Sequence, residues 1–95
     1  MEISPRLTRW INHHFPKGTA EMVLSELRDL PDQVLGRQDP ERIHAALVIR
    51  TAGSWHRFQQ HLTLAKTDWR DALVAADLAN QDWPTQLDAL LGANK

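Results

Sequence analysis

Apolar positions recur at helical spacing along the whole chain, and the breaks between runs fall at proline, glycine or a capping side chain. Leu7, Trp10, Ile11 and His14 stand three and four apart, which lines one face of a helix. Ser4-Pro5 supplies its start, with Ser as cap and Pro at a first-turn position whose N–H has no partner anyway. Pro16 disfavours a helical Phe15 and ends the run. Thr19 is expected to cap a second helix, with Val23, Leu24, Leu27 and Leu30 as its buried stripe and Pro31 as its stop. Residues 31–39 hold Val34 and Leu35 between turn formers, and read as one short turn of α- or 3₁₀-helix whose two apolar residues tuck into the core.

Asp39-Pro40 repeats the cap-plus-proline start. The third long helix, predicted over 40–52, carries Ile43, Ala45, Ala46, Leu47, Val48, Ile49 and Ala52. A helix apolar nearly all round is a central one, and Gly53 is its expected end. Ser54 opens a helix over 54–66. Its Trp55, Phe58, Leu62 and Ala65 share one face, and His56, Arg57, Gln60 and Thr63 the other. Thr67 or Asp68 caps a further helix over 68–79, with Trp69, Ala72, Leu73 and Ala76 on one side and Val74 and Leu78 on the other. Asp68 and Asp71 have the spacing of a capping box. Asp82 caps the last helix, with Pro84 in its first turn and Leu87, Leu90 and Leu91 before Gly92. Strand signals are missing throughout. The pattern predicts a single all-α domain over 1–95, an irregular bundle of five to six short helices with those at 40–52 and 68–79 central. Trp10, Trp55, Trp69 and Trp83 are the expected wedges between helices.

Asp68-Trp69 and Asp82-Trp83 repeat at an offset too short for a helical repeat unit, and read as two similar helix starts. The block Thr67-Asp68-Trp69-Arg70-Asp71, followed by Leu73-Val74-Ala75-Ala76 and by Asp82-Trp83-Pro84, resembles a group of short uncharacterised bacterial proteins. The resemblance covers about residues 40–92. It implies a free-standing bacterial domain and carries over no functional residue.

Composition narrows the chemistry. A net charge of −1 lacks the broad basic footprint of a polyanion binder. The absence of cysteine excludes disulfides, thiolate metal sites and cysteine nucleophiles. No apolar run approaches the roughly 20 residues of a membrane span, and the first ten residues lack the basic-then-apolar order of a signal peptide. The expectation is a cytoplasmic protein that does not engage the membrane.

Charge is segregated along the chain. From Arg42 to Thr67 there is no acidic residue, but there are Arg42, Arg50, Arg57, Lys66, His44, His56 and His61. Beyond it Asp68, Asp71, Asp77, Asp82 and Asp88 stand against Arg70 and Lys95. The basic stretch is either an anion-binding face or the partner of the acidic C-terminal helices. The wheel also sets Arg50 among apolar neighbours, where a buried arginine needs a carboxylate; Asp71 and Asp77 are the candidates.

The segments 40–52 and 54–66 have the layout of a helix-turn-helix, with His56, Arg57 and Gln60 able to address base edges. Leu64, apolar within that polar face, is instead the kind of residue that anchors a protein partner. His13 and His14 diverge by about 100° on a helix, and His56 and His61 are not on one face, so no metal site is expected. No phosphate loop or nucleophile elbow occurs. Neither catalysis nor a cofactor is indicated. The leading expectation is a small cytoplasmic protein-interaction or regulatory module, with a nucleic-acid binder as the alternative.

Overall fold

The computed structural model describes residues 2–36 and 38–92; Met1, Arg37 and Ala93–Lys95 lie outside the described residues. Seven helices follow one another: α1 (Pro5–His14), α2 (Lys17–Arg28), α3 (Asp32–Leu35), α4 (Pro40–Val48), α5 (Trp55–Thr67), α6 (Trp69–Ala75) and α7 (Trp83–Leu91). The all-α bundle is as the pattern predicts; the additional helix is the single turn α3. Among the described residues there is no strand, and no helix is long and apolar enough to cross a membrane.

Four helix starts are closed by the side chains that the sequence offers. Ser4 Oγ accepts from Leu7 N–H at 3.4 Å, and Asp39 Oδ1 from Glu41 N–H at 2.9 Å. Ser54 Oγ accepts from Arg57 N–H at 3.2 Å, and Asp68 Oδ1 from Arg70 N–H at 3.0 Å. Each satisfies a first-turn donor that has no intrahelical partner. Asp82 departs from this scheme, since its carboxylate accepts from the Gln86 side chain at 3.2 Å and caps no backbone N–H.

Three boundaries are corrected. The second helix starts at Lys17 rather than behind Thr19: Pro16 is already at φ −55°, and its carbonyl accepts from Ala20 N–H at 2.7 Å. The helix predicted over 40–52 stops at Val48. There Thr51, fully buried, donates both its N–H and its hydroxyl to the Val48 carbonyl, at 3.2 and 2.7 Å. A continuing helix would give that carbonyl to Ala52 instead. The chain then turns through left-handed Ala52 and Gly53, at φ +52° and +76°.

The helix predicted over 68–79 stops at Ala75. Asp77 is left-handed at φ +62°, and its N–H reaches Val74 O at 3.1 Å while Leu78 N–H reaches Leu73 O at 2.8 Å. That bond pair is a Schellman motif. It swings Leu78 inward to zero exposure and leaves Val74, expected to be an apolar contact, 67% exposed.

Helix α4 is the hub, packing against α1, α5, α6 and α7. Every residue from Ile43 to Val48 is buried, and its alanines at 45 and 46 let neighbours approach closely. The core runs through Leu7, Ile11, Val23, Leu27, Phe58, Leu73, Leu78 and Leu87 as well. The four tryptophans pack against it but remain partly exposed. Two are roofed by cations: Arg42 lies 5.3 Å over the Trp83 ring and Arg70 5.5 Å over Trp69. Trp10 stacks on His14 at 3.9 Å, and Trp55 meets Phe58 at 5.5 Å.

The buried arginine is Arg6, not Arg50. Arg6 is 6% exposed. Its guanidinium donates from Nε and Nη2 to the two oxygens of Glu41, at 2.8 and 2.6 Å. Nη1 reaches Asp88 Oδ1 at 2.6 Å and the Gly92 carbonyl at 2.8 Å. Ser4 Oγ also donates to Glu41. One side chain on α1 thus ties α4 to α7.

Candidate binding face on the fifth helix

Helix α5 is set in place by the turn before it and by its inner face. Gly53 passes so close to α1 that a Cβ there would stand 2.6 Å from the His14 carbonyl oxygen. Only glycine fits that passage at its positive φ without displacing backbone. Phe58, Leu62 and Ala65 then bury toward the core. What remains outward is a polar strip: His56, Arg57, Gln59, Gln60 and Thr63 are exposed. Four of them, His56, Gln59, Gln60 and Thr63, line a shallow concavity of about 360 Å³.

The structure brings His56, Arg57 and Gln60 onto one surface. Leu64 is half-buried on its edge. No acidic residue lies on α5, so the strip offers donors and positive charge without internal neutralisation. His61 is half-buried and turned away from this role; its Nδ1 has no hydrogen-bond partner, and burial pushes its pKa down.

The rest of the basic stretch is divided among other tasks. Arg42 donates Nε to the Leu78 carbonyl at 2.9 Å and Nη1 to the Gln38 side chain. His44 is fully buried, and neither ring nitrogen makes a hydrogen bond of good geometry, so that the nearby Leu27 backbone offsets burial only in part. Burial therefore holds its pKa down at about 4, and it is neutral at physiological pH. Arg50, expected among apolar neighbours, is 56% exposed and lies 3.9 Å from Asp77, itself 69% exposed. Asp71 is exposed, and no ion pair joins it to Arg50 among the described residues. A turn in place of the last helical residues carries Arg50 off the predicted wheel.

Two of the acidic C-terminal residues pair outside the basic stretch. Asp88 pairs with Arg6 at 2.6 Å, and Asp68 with Arg70 at 3.4 Å. Lys95 lies outside the described residues. Among the described residues one ion pair, Arg50–Asp77, joins the basic stretch to the acidic C-terminal segment, and none engages the outward charges of α5.

Two further features bear on what the face can do. Helix α4, which precedes α5, is a core element from Ile43 onward, so it has no free side to lie across a phosphate backbone as the first helix of a helix-turn-helix does. Among the described residues no group of three His, Asp or Glu side chains stands close enough to hold a metal; His13 and His14 meet edge to face at 5.0 Å. Comparison of the chain with protein-family models, curated proteins and solved structures gives no match.

Proposed function

We propose that the protein is a small cytoplasmic protein-interaction module, without catalysis of its own, that holds an acidic partner segment on the outer face of α5. The observation that supports this is the acid-free exposed strip, with His56, Arg57, Gln59, Gln60 and Thr63 outward and Leu64 at its edge. Arg57 and the amides supply charge and hydrogen bonds, and Leu64 supplies the apolar contact around which such contacts gain strength by excluding water.

Nucleic-acid binding is the second reading, favoured by the same Arg57 and Gln60, whose donors suit base edges. The buried α4 and the net charge of −1 weigh against it, because phosphate contacts supply most of such affinity.

The test is an amide-shift titration of labelled protein with an amphipathic helical peptide of Glu and Leu, and separately with mixed-sequence duplex DNA. Peptide-induced shifts over residues 56–64, lost in the Arg57→Glu, Leu64→Asp double variant, are the expected result. Shifts with DNA alone, reversed by salt, would put the second reading in first place. Silence toward both probes would remove α5 as the docking face.

A further inference from the structure

A second concavity lies at the other end of α5, where the chain turns into α6 beneath α3. It encloses about 540 Å³, within the range of small-molecule sites. Its apolar part comes from three segments: Pro31 and Val34, Ala65, and the indole of Trp69. Val34 is 9% and Ala65 2% exposed, so these form a floor rather than a surface. Gln33, Lys66, Thr67, Asp68 and Arg70 supply the polar lining.

The indole is held firmly. A Cβ on Gly36 would stand 2.9 Å from Trp69 Nε1 and 3.0 Å from Cε2, so left-handed Gly36, just after α3, closes against the ring edge. Arg70 lies over the ring at 5.5 Å. A rigid aromatic wall is in place before any ligand arrives, which lowers the cost of binding.

The charges do not cancel. Asp68 faces Arg70 at 3.4 Å while its carboxylate caps α6, which accounts for one cation. No ion pair joins Lys66 to a carboxylate among the described residues. Among the described side chains the lining thus carries one positive charge more than negative, beside an apolar floor and an indole.

We infer that this cleft is a binding site for a small planar monoanion, an aromatic carboxylate, with its ring against Val34 and Trp69 and its carboxylate on Lys66. The site is separate from the outer strip of α5 and does not depend on it. Pro31, Val34, Ala65 and the Trp69 indole give the cleft the apolar surface that an aromatic ring requires. A single negative charge matches the one cation left over, and a dianion would bring an excess charge close to Asp68.

The experiment uses phenylacetate as probe and phenethylamine as its size-matched cation, followed through the Trp69 indole N–H and the amides of 65–70. Phenylacetate is expected to shift these resonances saturably with a Kd on the order of 1 mM, while phenethylamine leaves them in place. Lys66→Glu, at an exposed position that leaves the core intact, weakens binding about 10-fold or more, and Arg57→Glu on the outer strip does not. Absence of a saturable shift, equal response to phenethylamine, or an unchanged Kd in K66E would each overturn the inference.

Discussion

Arg6 and Glu41 meet through two parallel hydrogen bonds, 2.8 and 2.6 Å long, at a point where the arginine is 6% and the carboxylate 15% exposed. The fork geometry is the strong form of the arginine–carboxylate pair. It also holds the Glu41 carboxyl below its usual range, the Arg6 hydrogen bonds being the main cause and the Ser4 hydroxyl adding to them. Neither residue announces this in the sequence, where Arg6 is one charge on an ordinary amphipathic first helix.

Breaking the pair on one side only is the informative change. Arg6→Met leaves Glu41 nearly buried and uncompensated, and is expected to cost about 3–5 kcal/mol in denaturant unfolding. Asp88→Asn removes the other ion pair of the same guanidinium, but at a carboxylate 65% exposed, and is expected to cost less than about 1 kcal/mol. Equal losses from the two variants would mean that the Glu41 fork is not the stronger bond. The acid limb follows from the sign of the shift. A carboxyl depressed in the folded state contributes stability above its unfolded pKa and loses it as pH falls through the folded value.

His44 sets a different and higher pH window. Its folded pKa is about 4, below the roughly 6.5 of an unfolded histidine. The unfolded chain therefore binds more protons between those values, and stability falls as pH drops from about 6.5 toward 4. The full loss is about 3 kcal/mol, with half-buried His61 adding in the same direction. In His44→Leu most of that slope is expected to vanish, as measured by urea midpoints at successive pH values. A slope unchanged by the substitution would assign it to other groups.

Two glycines make a paired test of backbone conformation. Gly53→Ala places a methyl against the His14 carbonyl at positive φ, and is expected to cost about 2 kcal/mol or more and to lower the melting temperature. Gly18→Ala lies within α2 with nothing within 4 Å of its added Cβ, and is expected to stabilise by about 0.5–1 kcal/mol through helix propensity. Thermal melts of the two variants should move in opposite directions.

The amino-acid sequence by itself determined the all-α class, most helix starts and the inward faces. These depend on local chemistry: a Ser or Asp hydrogen-bonds the N–H groups next to it, and an apolar stripe must face away from water. It also made α4 legible as the central element, since Ile43 and Ala45–Val48 cover nearly its whole circumference with apolar side chains. The outer strip of α5 was readable for the same reason, as the complement of Phe58, Leu62 and Ala65.

Helix ends and charge partners were decided only by tertiary structure. Thr51 stops α4 because its hydroxyl is buried against the Val48 carbonyl, and Asp77 stops α6 because a left-handed residue there lets Leu78 reach the core. Neither Thr nor Asp signals a stop as Pro or Gly does. Once those helices end early, Arg50 and Val74 swing to solvent, and the buried cation is Arg6. Its partners, Glu41 and Asp88, lie 35 and 82 residues away. Pairing over that separation depends on how α1, α4 and α7 converge, which no local pattern encodes. The cleft beneath α3 has the same origin, since Val34 and Trp69 become neighbours only when the chain closes on itself.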